Sequence, residues 1–80
     1  MEHELKTWPM YFEAVRSGKK PFEIRENDRR FQIGDTLRLL EWDESSGFTG
    51  RDLRRSITYA LDDSFWGIST GFVCLGLSRE

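Results

Sequence analysis

The chain has 80 residues, a formal net charge of -2, 32% charged and 14% aromatic residues, and one cysteine, Cys74. That length holds one small domain, read as 1–80, and the negative balance excludes the broad positive field that non-specific nucleic-acid binding needs. No run approaches the ~18 apolar residues of a membrane span, no secretory pattern opens the chain, and a lone cysteine forms no internal disulfide, so a cytoplasmic, reduced, monomeric protein is expected.

Met1 to Lys6 is polar apart from Leu5, and reads as an edge strand. Thr7 has the chemistry of a helix N-cap, and Pro9 is tolerated in a first turn. Trp8, Phe12 and Val15 recur at i, i+4, i+7, which predicts a helix from about Trp8 to Ser17 with Trp8 and Phe12 on its buried face. Gly18 is placed to end it in a left-handed conformation. The period then changes to two. Phe22 and Ile24 alternate with Glu23 and Arg25, predicting a strand with the first pair in the core and the second on the opposite face. A turn at Ile33-Gly34-Asp35 leads into a strand over Thr36–Trp42. Asp43 to Gly50, with Ser45, Ser46 and Gly47, predicts a long hairpin loop. Leu53, Ile57, Tyr59 and Leu61 predict one face of a further strand. A loop carrying Phe65 and Trp66 precedes a last strand over Gly71–Leu77. Tyr59 and Trp42 read as core or half-core. The order β-α-β-β-β-β predicts an α+β domain with a mostly antiparallel sheet, curled or closed into a small barrel, and one helix near the N-terminus.

Charge is unevenly spread. Arg16 to Arg30 holds six basic residues and three acidic ones, a local +3, while the remainder holds six and eleven. A basic island in an acidic chain points to a local anionic partner such as a phosphate. Within it, Lys20, Glu23 and Arg25 converge at one end of a strand. Such a group can hold an anion beside a hydrogen-bonding edge, and can tune protonation for acid-base work. The plainer reading is a surface ion-pair cluster.

Gly18-Lys19-Lys20-Pro21-Phe22-Glu23-Ile24-Arg25 resembles the ASCH pattern G-x-K-x-x-E-x-R at all four specified positions, with a short helix before it and a Gly34-Asp35 turn and apolar strand after it. The resemblance runs from Glu4 to Leu77 and is to a very short member of a PUA-like subfamily without established function. It implies a compact PUA-like barrel with a cleft beside the helix, lined by Gly18, Lys20, Glu23 and Arg25, that takes RNA or a nucleotide-like ligand. Some relatives are amidohydrolases that remove an acyl group from a modified cytidine, using a Thr three residues after the motif Lys. Here that place is Glu23, and Lys20 is kept.

The leading expectation is therefore an RNA- or nucleotide-binding module. Lys20 and Arg25 would meet phosphate or a base carbonyl, Glu23 an amino or hydroxyl group, and Arg29, Arg30 and Trp66 would extend the contact. Arg29 and Arg30 also read as a solvated loop. Phe65 and Trp66 would either stack on a base or cap the open end of a barrel. The alternatives are a small hydrolase on an acylated nucleoside, with Glu23 as general base and Lys20 at the oxyanion, and a protein-interaction module. One histidine, His3, supports neither a metal cluster nor a histidine-dependent triad, and no metal or cofactor is expected.

Overall fold

Strict alternation of buried and exposed side chains over Glu2–Thr7 makes the first strand, β1, which turns His3, Leu5 and Thr7 inward. A computed structural model describes residues 1–79. Helix α1 (Pro9–Arg16) follows β1, and then come β2 (Phe22–Glu26), β3 (Thr36–Asp43), β4 (Gly47–Leu61) and β5 (Phe72–Leu77). The five strands form one sheet in the order β1-β3-β4-β5-β2. β1 runs parallel to β3, while β3-β4, β4-β5 and β5-β2 are antiparallel.

One face of this sheet carries the core. Leu5 from β1, Leu37 and Leu39 from β3, Ile57 from β4, and Val73, Leu75 and Leu77 from β5 are all buried there. Phe12 and Val15 of α1 close it from above, and Phe31 fills its edge. A salt link pins the helix to β4. Arg51 Nη2 lies 3.4 Å from Glu13 Oε1, and Arg16 holds the same carboxylate through Nη2 at 2.6 Å. These guanidiniums, Arg16 first and Arg51 after it, hold the Glu13 carboxyl down to about 2 from an ordinary 4.5. At the far end, His3 donates to Asp35 Oδ2 at 2.8 Å and packs edge-on to Phe31, tying β1 to the turn before β3.

The predicted barrel does not form. β1 and β2 are the two edges of the sheet, and no backbone ladder joins them among the described residues. The sheet is open and mixed, because β1 enters parallel beside β3. The seam between the edges is crossed by side chains instead. Arg25 Nη1 donates to the Lys6 carbonyl at 3.2 Å, and Arg29 Nη1 to the Glu4 carbonyl at 2.7 Å. Unpaired edge groups are a liability, and here arginines satisfy two of them.

Four local expectations are also corrected. The long loop before β4 is a short turn over 44–46, since Gly47 (φ +77°) starts a 15-residue strand. The helix begins at Pro9 rather than Trp8, and Trp8, not Thr7, is its N-cap. A bulge between Ile57 and Tyr59 splits the expected single face of β4. Ile57 stays in the core while Tyr59 and Leu61 pass to the outside, and Tyr59 is 61% exposed. The faces of β2 are inverted: Glu23 is 3% exposed, whereas Ile24 is 55% exposed and Phe22 also faces out. Apolar alternation identifies two faces but does not say which one the rest of the fold covers. The covered face holds Lys20 and Arg25, which grip the Glu23 carboxylate there.

Candidate functional site

The inverted strand puts the charged residues of the motif into a cleft rather than on an open surface. Gly18 (φ +84°) ends α1 in the left-handed region, and its N–H donates to the Val15 carbonyl at 3.1 Å. The chain then turns back, and the Lys20 N–H donates to the Ala14 carbonyl at 3.0 Å. This fixes the backbone of Lys20 against the last turn of the helix, with its side chain beside β2. Gly18 itself does not line the cleft; its part is to make that reversal possible.

The Glu23 carboxylate is gripped on both oxygens. Lys20 Nζ donates to Oε1, and Arg25 Nε donates to Oε2 at 2.8 Å. Arg25 is itself fixed, because Nη2 donates to Thr7 Oγ1 at 3.1 Å while Nη1 holds the Lys6 carbonyl. The Thr7 hydroxyl passes its own hydrogen to the Leu5 carbonyl. Among the described residues no buried side-chain polar atom lacks a partner. One carboxylate between two cations leaves the floor of the site with a single net positive charge.

Above this floor lies a cleft of about 570 Å³ between the N-terminus of α1 and the β2 edge. Trp8 and Tyr11 form the helix side, Phe22 and Ile24 the strand side, and Lys6 a basic rim. All four of the larger apolar groups are exposed to it. Lys20 Nζ lies 5.4 Å from the ring centres of both Tyr11 and Phe22, and Lys6 Nζ lies 4.2 Å over Trp42. Such a site can stack a flat ring between aromatic walls and offer both a carboxylate and ammonium groups to its polar edge.

Lys20, Glu23 and Arg25 are thus brought together. Arg29 stands beside them at the seam, in a smaller hollow with Arg25, and its guanidinium is occupied by Glu4. Arg30 is outside the cleft, at a turn with φ +50°. Trp66 is also outside. It stacks on Phe65 with ring centres 6.0 Å apart and is 92% exposed, so it neither lines the site nor caps the fold. No group of three or more His, Cys, Asp or Glu side chains is placed to hold a metal ion among the described residues. No described helix is long and apolar enough to cross a membrane.

The sequence reading missed Lys6, Thr7, Trp8 and Tyr11 as cleft residues. For Trp8 a signal was present. A residue before proline is pushed toward extended backbone, and Trp8 sits at φ -64°, ψ 149° with its ring turned off the helix's buried stripe.

An open mixed sheet, one helix, and an aromatic cleft on an ion-paired floor define a small α+β domain with a cleft at one edge. The chain belongs to the family described as "Domain of unknown function (DUF3850)", whose model matches residues 2–77. It is also 45% identical over 64 residues to a protein of Escherichia phage P2 described as "Uncharacterized 12.9 kDa protein in GpA 3'region". That match takes in 80% of this chain and 58% of the phage protein, so the chain spans little more than half of that relative's length.

Proposed function

We propose that the chain is a binding module that takes a nucleotide, free or within single-stranded RNA, in the cleft between α1 and β2. The observation that carries the reading is the buried Glu23 carboxylate, held by Lys20 and Arg25 at the foot of aromatic walls. The base would stack between Trp8 or Tyr11 and Phe22. Glu23 would accept from an exocyclic amino group or ring N–H. Lys20 and Lys6 would meet the phosphate. Exposed aromatic faces and charge-assisted contacts are how single-stranded RNA is read elsewhere. The likeness of Gly18, Lys20, Glu23 and Arg25 to the ASCH pattern supports the same assignment. The lone thiol of Cys74 suits a reducing, cytoplasmic setting.

The test is an amide-shift titration with the four nucleoside monophosphates and a short mixed-sequence RNA. Shifts should concentrate at 6–11 and 20–25, and Lys20→Ala should weaken binding about tenfold, the usual worth of a charge-assisted contact. Glu23→Gln should weaken nucleotide binding but not inorganic phosphate binding. Absence of shifts at millimolar ligand, or unchanged affinity in Lys20→Ala, overturns the reading.

The Lys20–Glu23 contact favours a second reading, a hydrolase acting on an acylated nucleoside. Glu23 would take a proton from water and Lys20 would stabilise the oxyanion. Each Glu23 oxygen already accepts one hydrogen bond, so the water must reach a remaining lone pair. Turnover of N-acylated nucleosides that vanishes in Lys20→Ala would establish it. Turnover no greater than that of the variant would remove it.

A further inference from the structure

The outer face of β2, β5 and β4 carries a continuous apolar surface. Register partners on neighbouring strands project from the same side of a sheet. Phe22, Gly76 and Tyr59 therefore form one row, and Ile24, Cys74 and Leu61 the next. Phe72 lies across from Glu26 in a third. Phe22, Ile24, Tyr59 and Phe72 are all exposed, and Cys74 and Leu61 are half-buried. Phe22 and Ile24 also form the strand wall of the cleft, and no described element covers the rest. A contiguous face of this kind on so small a domain marks an interaction surface.

The charges around it are polarised along the strands. At the start of β2 stand Lys19 and Lys20, with Arg79 close to Gly18. At the other end stand Glu26, Asp62 and Asp63. Asp62 stays ionised, because the Ser64 hydroxyl and N–H hold its carboxyl below the usual range. Two copies can stack this face on itself about a two-fold axis in only two simple ways. An axis parallel to the strands sets acid on acid and base on base. An axis across the strands lays β2 on the partner's β2 in the opposite direction, so that with Ile24 on Ile24 the basic end of each copy lies over the acidic end of the other.

We infer that the occupant of this face is a second copy of the chain, stacked sheet on sheet with β2 antiparallel to its counterpart. The apolar rows supply the buried centre, and the polarised ends select the orientation. Cys74 then lies close to the two-fold axis. Stacked sheets sit about 10 Å apart, beyond the ~4.4–6.8 Å Cα span of a disulfide, so the two thiols face each other without bonding.

The experiment is sedimentation equilibrium of the full chain from micromolar to millimolar concentration, with Cys74 alkylation by iodoacetamide followed in parallel. Twice the chain mass at high concentration is expected, with slower alkylation and with cross-linking by a short bis-maleimide. Lys19→Glu and Glu26→Lys should each weaken association about tenfold, and the double variant should restore it. Both side chains are exposed and outside the cleft, and because Phe22 and Ile24 wall the cleft as well as this face, association is measured without nucleotide. Tyr59→Glu should abolish association while leaving the circular-dichroism spectrum unchanged. A single-chain mass at millimolar concentration overturns the inference. So does association that the charge swap leaves untouched, or a Cys74 alkylation rate independent of concentration.

Discussion

Arg25 donates to the Lys6 carbonyl across a seam that no backbone ladder closes. One side chain thus ties the last edge strand to the first, and the same guanidinium holds the Glu23 carboxylate and the Thr7 hydroxyl. The floor of the cleft and the closure of the seam share this residue.

Arg25→Ala should therefore cost more than a surface arginine does. We expect a loss of about 3 kcal/mol, since Glu23 is left with one cation and Thr7 and Lys6 lose a donor. Arg25→Lys should recover less than half, because an ammonium cannot serve three acceptors laid out for a planar fork. Urea unfolding measures the loss. Faster amide exchange along β1 would show that the seam opens with it.

The inverted faces of β2 make an unusual pair of neighbours. Ile24→Thr should stay within about 0.5 kcal/mol at concentrations where the chain is monomeric, because Ile24 faces solvent. Glu23→Ala should cost about 3 kcal/mol or more, leaving Lys20 and Arg25 facing each other unshielded. If Ile24→Thr proves the more damaging of the two, the assignment of faces is wrong.

Gly18→Ala tests the helix end. A Cβ at this position meets only the Arg79 guanidinium, at 4.0 Å, so crowding is not the issue. The cost is the left-handed backbone, about 1–2 kcal/mol by thermal unfolding. Lys20 leaves that turn directly, so nucleotide affinity should fall with the stability.

Acid should weaken the fold in a defined window. Glu13 is held at about 2, and Asp35 and Asp52 lie below their usual range through His3 and Arg38 respectively. Lowered folded-state values mean that the unfolded chain binds more protons between about pH 4.5 and 2, so stability rises with pH across that range. It should be fully present above pH 5 and fall progressively below. Asp35→Asn should make this loss shallower. A wild-type midpoint in urea that does not change from pH 5 to pH 2.5 would contradict the prediction.

Much of the framework was legible because it rests on local chemistry. Phe12 and Val15 announce the helix, Gly18 ends it, Gly34-Asp35 turns the chain, and Val73, Leu75 and Leu77 mark the last core strand. What escaped was decided between distant segments. β1 joins β3 in parallel with Glu2 opposite Thr36, and nothing within either segment states that pairing. It is this parallel entry that leaves β1 facing β2 without a ladder, where a closed barrel was expected.

The site was half legible for a related reason. Lys20, Glu23 and Arg25 lie within six residues, so their convergence follows from strand geometry alone. Their burial does not, since Phe22 and Ile24 compete for the same inner face and lose. The aromatic walls come from α1, and only the proline after Trp8 hinted that its ring would leave the helix core. Arg30 and Trp66 are near the motif in chemistry but not in space.

The bulge between Ile57 and Tyr59 also governs which length changes the gene can absorb. Removing the extra residue, Thr58, would leave Ile57 across from Leu77 and Tyr59 across from Gly76 with their faces unchanged, whereas removing a residue between Leu53 and Ile57 would turn the chain over ahead of the bulge and take Ile57 out of the core. The turn over 44–46 has no such downstream debt, so insertions are tolerable at that tip. Outside that bulge, the spacing of β4 is inherited as strictly as any side chain.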